Sequence, residues 1–293
     1  MKNNLQVSKS KTDIGVMDYV KDFPLLSFVR PGQPWYKRYS LEAAERFFGR
    51  LKIESLYSKI KERPFTIEGF IEEAFKIAQI DHLYDRQKLS NLPTRGPIVF
   101  VANHPFGVID GLALCDLAVR LRGNFRILIN SIMCQDKDLA EYFLPVDFNE
   151  NRDAVKNNIR SKQIAQQALR DEIPLIVFPS GHVSTATHWG FGQIAESPWT
   201  TFAAKMIRDA EATVVPVYFR GQNSRIFHIT SHWSAALRSA ALMNEVTKRF
   251  GKPIYSEIGK PLDWKLLKTL GNRQTLTLFL YNEVQNLASQ YSK

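Results

Sequence analysis

The apolar positions of this chain change period part-way along it. Over residues 41–63, Leu41, Ala44, Phe48, Leu51, Ile53, Leu56, Tyr57 and Ile60 fall broadly on one side of a helix. Arg46, Arg50, Lys52, Lys59, Lys61 and Arg63 are interleaved with them. A second helical pattern covers residues 66–78, and the Pro-punctuated stretch 23–35 ahead of both reads as loop. Short β-branched runs then take over, at residues 98–102, 126–130, 175–178, 213–219 and 254–258. Helical patterns at 112–121, 154–170, 200–211 and 235–250 separate most of them, and a last helix is expected from residue 273 to about 291. Strands alternating with helices predict an α/β fold, a mostly parallel central sheet flanked by helices, with a helical N-terminal extension. The expected division is residues 1–90 for the extension, 91–262 for the α/β domain and 263–293 for a C-terminal helix packed on that domain.

Composition narrows the class. With 293 residues, 44% hydrophobic and 23% charged, the chain can bury a core, which excludes a disordered polymer. The net charge of +10 implies attraction to something anionic: lipid headgroups, an acidic carrier protein or nucleic acid. Nucleic acid is the weakest of these, because no recognised reading motif accompanies the charge. Cys115 and Cys134 form no CxxC pair, which suggests a reducing compartment and no zinc site. No apolar run reaches the roughly 18–20 residues of a membrane span, and the polar start lacks a signal-peptide stretch. A soluble or peripheral protein facing the cytoplasm is expected.

The segment from Pro97 to Gly111 carries the strongest chemistry. The strand at 98–102 ends in Asn103-His104-Pro105, where proline stops the ladder, and Gly107 permits a tight turn. Asp110 then stands just before the helix expected at 112–121. His104 therefore belongs at the carboxyl end of a strand, where open α/β sheets bind ligands. An imidazole there can take a proton from a hydroxyl as a new bond forms, and a carboxylate on its other nitrogen fixes the tautomer. A plainer reading stays open, with Asp110 as a helix cap and His104 as an ordinary turn residue.

A second strand, at 175–178, runs into Pro179-Ser180-Gly181-His182. Small residues there let backbone N–H groups face a phosphate or a developing oxyanion; an ordinary Pro-Gly turn is the alternative. Ser180 as nucleophile is disfavoured, because an elbow motif needs Gly two residues earlier and Phe178 stands there. His182, His188, His228 and His232 lack metal-ligand spacing. The GxGxxA of Gly190–Ala195 does not follow a predicted strand, so it makes a poor dinucleotide fingerprint.

Together Asn103-His-Pro-Phe-Gly-Val-Ile-Asp-Gly111, Phe178-Pro-Ser-Gly181 and Val215-Pro-Val-Tyr-Phe219 resemble, in content and order, the blocks of the glycerolipid and lysophospholipid acyltransferase (PlsC-like) family. Five residues separate His104 from Asp110 where that family usually has four. This spacing, and the segment from Phe219 to His228, look like a divergent branch that includes hemolysin-like and ornithine-lipid acyltransferases. The resemblance implies direct transfer of a fatty acyl group from acyl-ACP or acyl-CoA to the hydroxyl of a lysolipid, with no acyl-enzyme and no cofactor. His104 and Asp110 would be catalytic. Asn103, Pro105, Gly107, Gly111, Arg152, Phe178, Pro179, Ser180, Gly181 and Asn223 would bind substrate. Ser180 stands where relatives carry Glu, and His182-Val183-Ser184 where many have Thr-Arg-Ser, which argues against a glycerol-3-phosphate-type acceptor.

The expected setting is peripheral, on the cytoplasmic face of the inner membrane. The basic amphipathic stretch 41–63, with Phe47, Phe48 and Leu51, and the aromatics Phe23, Phe28, Trp35, Tyr36 and Tyr39 are candidates for bilayer contact. Plain scaffold is an equal reading of the former. The rival function is a non-catalytic module on the same scaffold that binds membranes or an acyl carrier.

Overall fold

The computed structural model describes residues 29, 34–134, 136–147, 152–188, 190–233 and 235–289. Three helices open it: α1 (Trp35–Phe47), α2 (Arg50–Lys61) and α3 (Ile67–Ala78). Thr66 caps α3 by accepting the Gly69 N–H at 3.1 Å, close to the expected start. The single helix expected over 41–63 is instead two. Gly49, at φ 94° and packed under Thr247, breaks it while the amphipathic pattern runs on, so periodicity does not register the bend. α1 also begins at Trp35, inside the aromatic stretch; Phe23 and Phe28 lie outside the described residues. Among the described residues no helix is long and apolar enough to cross a membrane.

The remaining elements, in chain order, are β1 (His82–Tyr84), α4 (Arg86–Ser90), β2 (Ile98–Ala102), α5 (Val108–Arg122), β3 (Arg126–Asn130), β4 (Phe143–Val146) and α6 (Arg152–Arg170). Then come β5 (Leu175–Val177), β6 (Thr185–Ala186), β7 (Ile194–Ala195), α7 (Phe202–Ala210), β8 (Thr213–Phe219), α8 (Arg225–Trp233), α9 (Ala235–Lys248), β9 (Ile254–Ile258), α10 (Trp264–Leu267) and α11 (Arg273–Ser289). The longer β-branched runs are strands where expected. β1, β4, β6, β7, α4 and α10 lie outside the expected set and are too short for a period to show; the nine-residue α8 lies outside it as well.

Among the described residues seven strands form one sheet in the order β1-β9-β8-β2-β5-β3-β4. Neighbours are parallel except β8 and β9, so the sheet is mostly parallel, as expected. β2 lies near its middle, paired with β5 on one side and β8 on the other. Its alternate residues explain its uninterrupted apolar run. Ile98, Phe100 and Ala102 pack into a cluster with α3 and α5, and Val99 and Val101 into one with α7 and α11. Each of these side chains larger than alanine contributes roughly 1.5–3 kcal/mol by leaving water. A strand buried on both faces holds its carboxyl end firmly, and His104 emerges there.

Candidate active site

Asn103 follows β2 and secures its exit. Its Nδ2 donates to the Phe219 carbonyl at 2.9 Å and its Oδ1 accepts the Phe219 N–H at 2.7 Å. Both ends of a buried amide thus tie the end of β2 to the end of β8. The backbone on either side of the His104 side chain is also held. The His104 N–H donates to Glu196 Oε1 at 2.9 Å, and the His104 carbonyl accepts the Ser184 N–H at 2.8 Å and its hydroxyl at 3.2 Å. The imidazole stacks on Phe178 at 3.9 Å between centroids, with 26° between the planes. It keeps 17% of its side-chain surface exposed, whereas Asp110 has none.

His104 Nδ1 and Asp110 Oδ2 are 3.2 Å apart. The link between them is the turn Pro105–Gly107. Gly107 takes φ 83°, and a Cβ there would meet Leu242 Cδ1 at 2.9 Å, so only glycine fits. Asp110 is not placed before its helix, as expected, but inside it. α5 starts at Val108, and Asp110 sits in the first turn, where a carboxylate is favoured by the helix dipole. The apolar residues Val108 and Ile109 ahead of it hid the true start.

Asp110 Oδ2 also accepts the Phe106 N–H at 3.0 Å, while Oδ1 is buried without a partner among the described residues. Phe106 in turn lies under the Arg249 guanidinium, 4.2 Å from ring centroid to Cζ. Burial lowers the Arg249 pKa, and the Asp110 charge opposes that shift. Asp110 thus has the His104 ring in front and the Arg249 cation behind.

Glu196 is the residue that sequence reading passed over. Besides the His104 N–H, its carboxylate accepts Trp199 Nε1–H at 3.1 Å and Gln285 Nε2–H at 3.4 Å. Burial pushes its carboxyl above the ordinary range, against the bonds from Trp199 and the His104 backbone. Nothing local marks it, because it lies 92 residues from the histidine it holds.

The other candidate residues distribute unevenly. Pro105 is buried in the turn and Gly111 is half-buried on α5. Phe178 supports the imidazole directly. The Pro179 carbonyl accepts the Thr200 N–H at 2.9 Å. The Ser180 hydroxyl, 3% exposed as a residue, donates to the His182 carbonyl at 3.0 Å. The Gly181 N–H does not face a ligand as expected; it closes the turn onto the Phe178 carbonyl at 2.9 Å. Asn223, in the loop after β8, is 4% exposed, and neither atom of its side-chain amide has a partner among the described residues. Arg152 is exposed at the start of α6, beyond β4, three strands from β2 or about 14 Å at ordinary strand spacing. It is not brought to His104. Two surface pockets, of about 410 and 500 Å³, lie around Arg208 and Arg273 and around Arg86 and Arg120; neither includes a residue of the His104 turn.

Known proteins resemble this chain in sequence and in fold. Residues 40–282 match a family model described as Acyltransferase. A lyso-glycine lipid O-acyltransferase of Phocaeicola vulgatus is 30% identical over 196 residues, covering 64% of this chain and 66% of that protein, just under two thirds of its length. One of the same description from Bacteroides thetaiotaomicron is 29% identical over 194 residues, covering 64% and 68%. The crystal structure of a 1-acyl-sn-glycerophosphate acyltransferase, PlsC, from Thermotoga maritima shares the fold, with a TM-score of 0.50 at 17% identity over 88% of this chain and 90% of that one. With the family model spanning most of its length, this chain belongs to the acyltransferase family.

Proposed function

We propose that the protein is a lysolipid O-acyltransferase. It would move a fatty acyl group from acyl-ACP or acyl-CoA to the hydroxyl of a lyso-aminolipid or lysophospholipid at the cytoplasmic face of the inner membrane. The observation that carries this reading is the 3.2 Å approach of Asp110 to the one ring nitrogen of a histidine that stays partly open at the end of β2. The two relatives named for a lyso-glycine lipid acceptor make that the first acceptor to try.

In this reading Asp110 holds Nδ1, and Nε2 takes the acceptor's hydroxyl proton as its oxygen bonds to the thioester carbonyl carbon. Collapse of the tetrahedral intermediate breaks the C–S bond. The sulfur leaves as a thiol, with the proton returned from the imidazolium, and the acyl group stays on the acceptor oxygen. Phe178 keeps the ring in plane for both transfers. Glu196 and Ser184 fix the backbone on either side of it. The buried amide of Asn223 supplies an unengaged donor and acceptor for a polar acceptor group.

The test is transfer from acyl-ACP and from acyl-CoA to lyso-glycine lipid by the purified protein and by His104→Ala. Loss of the base should cost about 10²–10⁴ in rate while thermal melting stays unchanged. A His104→Ala protein within a few-fold of the parent rate would overturn the assignment.

A further inference from the structure

α8 lays an apolar strip along its outer side. Ile226, Ile229 and Trp233 are spaced i, i+3 and i+7, on one face of the helix. Ile226 is 52% and Trp233 69% exposed. Over the middle of the strip comes the turn between β6 and β7. Gly190, at φ 90°, approaches so closely that a Cβ there would stand 2.5 Å from the Ile229 side chain and 2.9 Å from its backbone nitrogen. Two backbone bonds brace the turn, Thr187 N–H to Gln193 at 3.0 Å and Phe191 N–H to His188 at 2.7 Å. The turn thus holds Phe191 at 73% exposure beside the strip.

Charge follows the same outline. The chain carries 29 Asp and Glu, yet residues 182–195 and 220–244 contain none. Those two stretches hold Arg220, Arg225 and Arg238 with His182, His188, His228 and His232. Arg225, at the start of the strip, is exposed, as are His182, His188 and His232. An aromatic and aliphatic ridge with an exposed arginine at its start, built from two stretches without a carboxylate, fits an anionic bilayer, with the rings at headgroup level.

The strip also lies close to the reacting centre. Ser184 is bonded to the His104 carbonyl, and two residues on Ala186 is bonded to α8, its N–H to His228 Nδ1 at 3.3 Å and its carbonyl to His232 Nε2 at 2.8 Å. The geometry points to α8 and the Phe191 turn as a docking ridge for an anionic lipid surface, seated so that His104 opens close to the headgroups. The inference deepens the proposed function and rests on it for its purpose, though not for its measurement.

The full chain and the double variant Phe191→Ser, Trp233→Ser are compared for co-sedimentation with vesicles of phosphatidylcholine alone and of phosphatidylcholine with phosphatidylglycerol. Turnover is measured on lysolipid in those vesicles and in detergent. The expected result is binding that needs phosphatidylglycerol, weakens with salt and falls at least five-fold in the double variant. Turnover should fall on vesicles and stay within two-fold in detergent, with an unchanged melting temperature. Equal sedimentation of parent and variant overturns the ridge. So does vesicle binding lost only on replacing Trp35 and Tyr39 of α1. A variant that binds vesicles normally but no longer binds purified acyl carrier protein also overturns it, by making the ridge a carrier site. A parent inactive in detergent with every acceptor would instead sink the acyl-transfer reading, leaving the sedimentation result to judge the ridge.

Discussion

Asp110 meets the His104 ring and the Phe106 backbone N–H through the same oxygen, Oδ2, at 3.2 and 3.0 Å. One atom therefore closes the turn and orients the imidazole. Asp110→Asn keeps an oxygen able to accept from Phe106 but removes the charge beside the ring. The expected outcome is a fold that melts within a few degrees of the parent and a kcat lower by about 10²–10⁴. Steady-state transfer assays and calorimetry on the same preparation check it; an unchanged kcat would remove Asp110 from the mechanism.

The two buried asparagines near the site should behave oppositely. The Asn103 amide is engaged at both ends by Phe219, so Asn103→Asp sets an oxygen against the Phe219 carbonyl and should cost about 1–3 kcal/mol of stability. The Asn223 amide has no partner among the described residues, so Asn223→Ala breaks no internal bond. It should leave the melting temperature alone and raise the acceptor KM. Denaturant unfolding and acceptor titrations on both variants distinguish a strand clamp from a substrate contact.

Glu196→Ala removes the acceptor of the His104 N–H. Loss of one hydrogen bond to a charged group, about 1.5–3 kcal/mol, translates into a rate reduction on the order of ten-fold or more if it loosens the ring. Glu196→Gln should restore much of it, since the amide oxygen still faces His104, though its NH2 then opposes the Trp199 indole. A glutamine variant as slow as the alanine one would assign Glu196 a role through its charge instead.

His228 gives the fold an acid limit. Its ring is buried, and burial lowers its pKa from 6.5, against the Asn223 carbonyl and the Glu245 charge; His232 and Arg238 push the same way as burial. A base with a depressed folded-state pKa binds its proton more readily when unfolded. The stability present above about pH 6.5 is therefore lost as pH falls through the folded value. Replacing it, as in His228→Gln, should shrink the drop in melting temperature between pH 7.5 and 5.5. Calorimetry at the two pH values measures this directly.

Much of this could be read from the chain. β2, β3, β8 and β9 occupy their expected spans because buried β-branched runs between breakers have few alternatives. His104 and Asp110 met because the turn between them is short and carries the glycine it needs. What escaped was set by contacts distant in sequence. Gly181 looked free to offer its N–H, but the Phe178 carbonyl was in reach. Arg152 had a motif-like position but opens α6, beyond the strand at the sheet edge. Glu196, Arg249 and the α8 ridge gained meaning only when β6, β7 and α9 brought them round to the His104 turn.

The placement of His104 at the end of an inner strand has a consequence for how the protein fails. β2 is bonded on both sides and covered on both faces, so it opens only with the domain as a whole, whereas the Phe191 turn hangs on two short strands and a few bonds. On warming, grip on a surface should go before chemistry does. A heated sample would then still convert substrate delivered in micelles after it has let go of liposomes.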